Sequence, residues 1–477
     1  MSCPYRPRLS WLLAAGSAAL TACTTLAPDY ERPTNPVSGY AVPAGPEGTS
    51  ATLVDTGWRA YFTDPQLRDV IAQALENNRD LRVAILRVEE AQAAYGITRA
   101  DRFPTLGAAA AETRGRTPGD LSPTGRSVVS SQFEVGLNVP AWELDFWGRL
   151  RSLRESALQD FLATDSARQA ATISLIAQVA DAYLVLRELD ERLALASHSV
   201  ENYGESLRIF RRRYEVGAVS RLEVAQVESL LAQARALEAQ LARSRAAQLN
   251  ALNLLAGAPV ETLPRDTRLD DRSVMEELRV GLPSEVLLQR PDIVAAEHRL
   301  RAANANIGAA RAAFFPRVTL TGSYGTASAE LEGLFEGGSE SWGFSPSISL
   351  PIFDAGRRQA NLDLAEVRKN IAVASYEKTV QTAFREVADA LVARHWLSDL
   401  VDIRMQTREA QAERARLAKL RYEAGATPYL EVLDAELALL SSDQQLVETR
   451  RALLSSRVQL YAALGGGAQG LDATPIQ

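Results

Sequence analysis

The amino-acid sequence contains one pattern twice, and this doubling restricts the fold more than any other feature. The segment RYEVGAVSRLEV at 213–224 recurs 208 positions later as RYEAGATPYLEV at 421–432, with eight of the twelve residues identical. Further matches lie upstream at a spacing of 212: Asp80 and Asp292, Arg87 and Arg299, Gly96 and Gly308, Arg99 and Arg311, Phe103 and Phe315, Pro104 and Pro316. Such self-similarity indicates a duplicated structural unit, so we expect two interleaved copies rather than two unrelated domains in series.

The amino-terminal residues have the features of a secretory signal that ends at a lipidation site. Two arginines precede the apolar run 11–20, which leads to the sequence LTAC at 20–23. We predict a signal peptide at 1–22 and a covalent S-diacylglycerol and N-acyl lipid at Cys23, with no other cofactor. A chance cysteine after a cleaved signal is the alternative. Because Thr24 rather than aspartate follows the cysteine, we expect sorting to the outer membrane.

The charge and hydropathy of the chain exclude several classes of protein. Its net charge of −7 becomes −9 when the signal and its two arginines are removed, which argues against nucleic acid as a partner. The mature sequence has no run of about 18 apolar residues, so we expect no transmembrane helix. If the mature chain crosses a bilayer, it must therefore do so with strands.

The longest periodic pattern follows Gly148. Its apolar positions alternate steps of four and three: Leu175, Val179, Ala182, Leu186, Leu189, Leu193, Ala196, Val200, Tyr203, Leu207, Phe210 and Tyr214. This heptad pattern predicts a helix over about 149–214, roughly 100 Å long at 1.5 Å per residue, packed against partner helices. Gly217 and Gly425 each end such a helix and precede another one, which predicts two antiparallel hairpin tips.

Short stretches of alternating apolar and small polar residues predict four strands, at about 104–113, 130–140, 316–326 and 341–351. The alternation fits the wall of an outer-membrane barrel, and a half-buried sheet of a soluble protein is the alternative. The chain is thus predicted to begin with a signal at 1–22 and an extended lipid-anchored tether at 23–64. The first repeat spans 65–257, with its tip near 214–223, and a linker at 258–280 follows it. The second repeat spans 281–465, with its tip near 422–431, and a tail at 466–477 ends the chain.

Four strands are too few to close a membrane barrel, because known single-chain barrels have at least eight. An open sheet edge in lipid leaves unpaired backbone groups that cost several kcal/mol each. The chain must therefore oligomerise in order to insert. Two copies would supply eight strands around a filled interior, and three copies would supply twelve strands around a lumen.

Five segments resemble those of a known family. They are LAPDYERP at 26–33, GLPS at 281–284, RPDI at 290–293, ARAAFFP at 310–316 and LPIFDAGR at 350–357. Together they resemble the TolC-like outer-membrane factors, in particular the efflux lipoproteins of the NodT/OprM type. The resemblance implies a mainly α-helical homotrimer with a 12-stranded β-barrel in the outer-membrane lipid and a long helical tunnel in the periplasm. It also implies docking to a periplasmic adaptor and an inner-membrane drug/proton antiporter of the RND type.

The resemblance further implies that acids and tyrosines at the hairpin tips constrict the resting tunnel. The matching residues are Tyr214 and Glu223 in the first copy, and Tyr422, Glu431 and Asp434 in the second. Gln226 occupies the position of Asp434 in the first copy, so a trimer would carry three carboxylates at that level. A narrow ring of carboxylates favours the passage of cations over anions. A solvated acid at position 434 and simple heptad packing of Tyr214 are the alternatives, and Arg213, Arg221 and Arg421 are all candidates for the closing salt bridge.

No catalytic or metal-binding constellation is evident, because His198, His298 and His395 lack the spacing of metal ligands. We therefore expect a passive exit duct of a tripartite drug efflux system rather than an enzyme. A duct for type I protein secretion or for metal efflux remains open. A structural coiled-coil envelope lipoprotein would explain the heptads but not the strands.

Overall fold

The structure, a computed structural model, describes residues 25–34, 57–261, 268–275 and 288–466. The predicted signal peptide, Cys23, the 281–284 motif and the 467–477 tail lie outside the described residues. The described helices are α1 (Trp58–Tyr61), α2 (Pro65–Asn77), α3 (Arg79–Ala100), α4 (Arg149–Glu215), α5 (Arg221–Ala256), α6 (Pro291–Ala312), α7 (Arg357–Glu423) and α8 (Tyr429–Ala463). The strands are β1 (Gly107–Thr117), β2 (Val128–Leu144), β3 (Arg317–Ser328) and β4 (Glu340–Ser349), with a short 3₁₀ helix at Glu332–Phe335.

The order of elements confirms the internal duplication. Helix α3, strands β1 and β2 and helices α4 and α5 are followed by α6, β3, β4, α7 and α8 in the same order. Helices α4 and α7 have 67 residues each. The long predicted helix is therefore present, and so is its counterpart in the second copy.

The chain divides into two compact units, and each takes segments from both copies. The strand unit contains the described residues of 25–34, 87–164 and 295–376. The helical unit contains those of 57–86, 165–294 and 377–466. The two repeats are thus interleaved, as the doubling predicts.

The strand unit contains one antiparallel sheet with the order β1-β2-β3-β4. Its strands differ from the predicted bounds by up to four residues: β1 continues to Thr117 rather than ending at 113, and β2 continues to Leu144 rather than ending at 140. Pro140 has no N–H to donate, and the ladder to β3 accommodates it with a register shift between Val139 and Trp142. Pro346 lies in the edge strand β4, where a missing donor is tolerated.

The outer strands of this sheet are uncovered. Every residue of β4 and all but one residue of β1 are exposed. Among the described residues each of these strands pairs along one edge only, β1 with β2 and β4 with β3. The sheet therefore ends in two rows of backbone donors and acceptors without a strand partner in the described part of the chain.

The heptad positions of α4 form the core of the helical unit. Ten of the twelve are buried, Val200 is half-buried, and Tyr214 is exposed. The expectation that no helix of the chain could cross a membrane needs correction for α4. By length and composition alone α4 could do so, but more than half of its most apolar stretch is buried inside the protein, as is usual for a core helix.

Two predicted boundaries need further correction. The tether was expected to be extended up to residue 64, but Trp58–Tyr61 is a helix, and the rings of Tyr61 and Tyr461 stack at 4.5 Å in the core. The first repeat, expected from residue 65, begins with two helices rather than one: α2 ends before Asn78, whose side chain accepts a hydrogen bond from the amide of Leu81 at 2.9 Å and so caps α3.

Residues 25–34 lie against α6 in the strand unit. The guanidinium of Arg32 contacts the carboxylate of Glu297 at 2.7 Å, and Asn304 donates to the carbonyl of Pro28 at 2.8 Å. The chain passes so close to Gly308 that a Cβ there would lie 2.7 Å from the amide nitrogen of Ala27. A glycine at position 308 is therefore required for this contact.

This contact predicts opposite effects for alanine at the two matched glycines. No atom of the described part of this chain lies within 4 Å of a Cβ placed on Gly96, so Gly96→Ala should stabilise the folded chain by about 1 kcal/mol through helix propensity. Gly308→Ala should give no such gain and should speed amide exchange in 25–34, measured by hydrogen-exchange mass spectrometry. Unchanged exchange in the Gly308 variant would contradict the described contact.

Candidate functional site

The two predicted hairpin tips have the same backbone structure. Gly217 and Gly425 adopt φ angles of 76° and 72°, in the left-handed region that glycine enters without strain. At the first tip the amide of Gly217 donates to the carbonyl of Tyr214 at 2.9 Å, and the amide of Ala218 donates to that of Arg213 at 2.8 Å. The second tip repeats both bonds at the same lengths. These Schellman motifs end α4 and α7 and reverse the chain.

The two tips differ in the residue that precedes the next helix, and this residue determines the partner of the glutamate three positions later. At the first tip Ser220 caps α5, and the carboxylate of Glu223 accepts from the Ser220 amide at 2.7 Å in a capping box. These hydrogen bonds lower the pKa of Glu223. At the second tip Pro428 occupies the equivalent position and cannot donate. Glu431, the counterpart of Glu223, instead contacts Arg421 at 3.0 Å.

A second ion pair is present only in the second copy. The carboxylate of Asp434 accepts a hydrogen bond from the guanidinium of Arg414. The equivalent positions in the first copy are Gln226 and Ser206, so no matching pair of charges exists there. Both acids predicted for the constriction in the second copy are therefore held by arginines from α7.

Aromatic contacts join the two tips within the helical unit. Tyr429 packs its ring 4.6 Å from that of Phe210 and 4.8 Å from that of Tyr422. Its hydroxyl lies 2.7 Å from that of Ser206. The guanidinium of Arg213 donates to the hydroxyl of Tyr422. Because Phe210, Ser206 and Arg213 belong to α4 and the tyrosines to the second copy, these contacts connect the two hairpins.

The structure thus brings four of the five predicted constriction residues into defined contacts. The exception is Tyr214, which leaves 46% of its surface exposed, so it does not pack in the heptad core of the chain. Of the candidate closing arginines, Arg421 binds Glu431, Arg213 binds Tyr422, and Arg221 contacts Glu228 at 3.3 Å.

Sequence reasoning missed the half-buried Glu436. Its counterpart in the first copy, Glu228, accepts from Arg211 at 2.9 Å, which lowers the pKa of that carboxyl. In the second copy Lys419 and Tyr429 replace Arg211 and Arg221. Burial raises the pKa of Glu436, and the nearby Lys419 and His198 offset this only in part. A position-by-position comparison of the two copies could have identified this residue.

The histidines have separate surroundings. The Nδ1 atom of His298 lies 2.6 Å from the Oε1 atom of Gln159, and the ring of His395 contacts Trp396. In the part of the chain that the structure describes, no three His, Cys, Asp or Glu side chains gather as a metal site would require.

The two tips and the small sheet define a duplicated outer-membrane channel protomer, and comparison with known proteins agrees. The model of the family described as "Outer membrane efflux protein" matches residues 70–258 and 282–466. The chain belongs to this family, which is one of outer-membrane channels and not a family of enzymes.

Individual relatives match over nearly the whole chain. The solvent efflux pump outer membrane protein SrpC of Pseudomonas putida is 46% identical over 93% of this chain and 95% of its own length. A membrane protein of Pseudomonas aeruginosa, known from a crystal structure, is 43% identical with a TM-score of 0.87, covering 93% of this chain and 98% of that one. The open-state structure of the MtrE outer membrane channel of Neisseria gonorrhoeae is 41% identical with a TM-score of 0.86, covering 93% and 99%.

Glu436 and Glu228 occupy matched positions in different surroundings, so replacing each with glutamine should change the stability of the protein in opposite directions. Glu436→Gln should raise the thermal unfolding midpoint at pH 8, because burial penalises the charged form of this half-buried carboxyl, and the effect should disappear below pH 4.5, the ordinary pKa of the group. Glu228→Gln should lower the midpoint at pH 8, because that carboxylate is stabilised by arginines and its contribution is lost only as the pH falls through its lowered pKa. Equal effects of the two substitutions at pH 8 would contradict the assignment.

Proposed function

We propose that this protein is the outer-membrane exit duct of a tripartite efflux system and conducts small molecules passively to the exterior. The observation that carries the proposal is the four-stranded sheet with two unpaired edges, in a chain of the outer membrane efflux family. Such a sheet is stable in hydrocarbon only when further strands complete it. We place the strands in the outer membrane and the hairpin tips in the periplasm.

The same reasoning supports a homotrimer. Three copies would contribute twelve strands, enough for a closed barrel with a lumen, whereas two copies would give an interior filled by side chains. The solved relatives described as outer membrane channels support this arrangement.

The partners follow from the class of system. An exit duct has no energy source of its own, so we propose docking to a periplasmic adaptor and to an inner-membrane antiporter of the RND type. The relative named as a solvent efflux pump protein favours small organic cargo over secreted proteins or metal ions.

We also propose that Cys23 carries the S-diacylglycerol and N-acyl lipid. Thr25, two residues later, is hydrogen-bonded to Ser152 at 3.0 Å, in the first turn of α4. Strand β2 ends nearby at Leu144. An anchor at Cys23 would therefore start close to the inner ends of the strands, where acyl chains can enter the same bilayer. Incorporation of labelled palmitate would test this assignment.

The tips would act as the constriction. Tyr422, Glu431 and Asp434 of the second copy, with Glu223 and Tyr214 of the first, would line the narrow end of the duct. The Arg421–Glu431 and Arg414–Asp434 pairs are largely exposed, and pairs of this kind contribute only about 0.2–1 kcal/mol each. Contacts with an adaptor could therefore break them at small cost and separate α7 from α8 at the second tip.

Conductance in planar bilayers tests this function. The wild-type protein should form cation-selective channels, whereas a structural envelope lipoprotein would form none. Replacing Glu431 and Asp434 with alanine should increase conductance or weaken cation selectivity, because the ring loses charge and the tips lose two ion pairs.

The matched control for that experiment is Gln226→Ala, which alters the counterpart of Asp434 without removing charge. It should leave selectivity as in the wild type. If the double variant also kept wild-type conductance and selectivity, neither acid would belong to the constriction.

A further inference from the structure

The two faces of the sheet differ in chemistry, and the pairing of the strands shows which residues share a face. Leu137 pairs with Tyr324, which in turn pairs with Trp342, so these apolar residues belong to one face. Because side chains alternate along a strand, their neighbours belong to the other face. On β3 and β4 that second face consists mostly of small polar residues, namely Thr319, Thr321, Ser323, Ser341, Ser345, Ser347 and Ser349. In the proposed barrel the apolar face meets lipid and the polar face lines the lumen.

Charged residues are rare on the polar face. Within the four described strands it carries only three, Glu134, Glu143 and Arg317. Glu143 pairs with Thr319 and Arg317 pairs with Ser349, so both lie at the end of the sheet where α4 and α7 begin. The charges of the polar face are therefore concentrated at the inner end of the proposed barrel.

At this end one carboxylate is shared by two arginines. The Nε and Nη2 atoms of Arg149 donate to the two carboxylate oxygens of Glu143 at 2.8 and 2.7 Å. The Nε atom of Arg317 donates to the same carboxylate at 2.6 Å. The side chain of Glu143 is 12% exposed, whereas that of Arg317 is 58% exposed. The group thus has one positive charge in excess, and the more exposed of its partners is an arginine.

The duplication places another arginine beside this group. Arg357 begins α7 as Arg149 begins α4, 208 positions earlier. The counterpart of Glu143 at that spacing is Pro351, so the second copy has no matching carboxylate. Arg357 is exposed, and its guanidinium makes no ion pair with any residue that the structure describes.

These arginines line one cavity of about 490 Å³. Its walls carry four arginines and three carboxylates, namely Arg149, Arg317, Arg357, Arg358, Glu143, Asp145 and Asp354. Asp354 binds Arg358 at 2.7 Å, and Asp145 accepts from the amide of Arg151 at 2.9 Å. Each copy therefore keeps one positive charge in excess on these walls, and three copies would keep three.

We infer that Arg149, Arg317 and Arg357 of the three copies form an arginine ring at the inner end of the barrel, which binds the phosphate, carboxylate or sulfonate group of a molecule in transit. The inference rests on the proposed duct and adds a site whose charge is opposite to that of the tips. Arginines around a pore favour anions, as carboxylates favour cations. A guanidinium can also bind such a group through two parallel hydrogen bonds. Anionic cargo that has passed the acidic tips would thus meet an attractive site before it enters the barrel.

Ion selectivity in planar bilayers tests the arginine ring. We would use neutral phosphatidylcholine and low salt, where charges are screened least, and the Glu431→Ala, Asp434→Ala channel as parent, so that the tips do not dominate the recording. Arg317→Gln should shift the reversal potential toward cations and remove the block of the current by millimolar inorganic phosphate. Glu143→Gln should shift the reversal potential toward anions and strengthen that block. Because both substitutions break the same ion pair, a purely structural role would change both recordings in the same way.

Two controls keep or remove the charge elsewhere. Arg317→Lys retains the positive charge and should behave as the parent channel does. Arg114 lies six residues after Ala108, the partner of Leu137, and therefore belongs to the apolar face. Arg114→Gln should leave the reversal potential and the phosphate block unchanged.

Two results would overturn the inference: reversal potentials that stay unchanged or shift in the same direction in the Arg317→Gln and Glu143→Gln channels, or a phosphate block that survives Arg317→Gln. Absence of channels in both the wild-type and the parent protein would instead contradict the proposed duct itself.

Discussion

Unpaired backbone at the two edges of a small sheet is the constraint on which the rest of the structure depends. Strands β1 and β4 each pair along one edge only among the described residues. Water satisfies such groups at the surface of a soluble protein, but hydrocarbon does not. The proposed duct meets this requirement by sharing the sheet among copies, and a ring of shared sheets would enclose a passage. Conduction then follows from the need to satisfy hydrogen bonds.

The two copies share one backbone plan, but matched positions in them make different contacts. Where the first copy has Ser220 and the second has Pro428, the matching glutamate caps the helix in the first copy and pairs with an arginine in the second. Where α4 has the buried Ser156 and Gln159, α7 has the exposed Leu364 and Val367 at the matching positions. In each case the backbone is the same in the two repeats and the side-chain chemistry is changed.

Features set by local sequence could be predicted, and features set by distant contacts could not. The heptads gave α4 correctly because burial of one helical face repeats along the chain, and Gly217 and Gly425 marked the turns because left-handed backbone favours glycine. The helix at Trp58 was missed because its burial depends on Tyr461, some 400 positions away. The partner of each tip arginine was also out of reach, because side-chain geometry decides it, and Tyr214 left the heptad core because the helix ends there.

Amide hydrogen exchange of the two edge strands, in protein embedded in outer-membrane lipid, tests the central claim most directly. If copies complete one another, the outward amides of β1 and β4 should exchange as slowly as those of β2 and β3, because every one of them is hydrogen-bonded to a neighbouring chain. Rapid exchange confined to the outer edges of β1 and β4 would show that the sheet stays open, and the account of the channel would then be wrong.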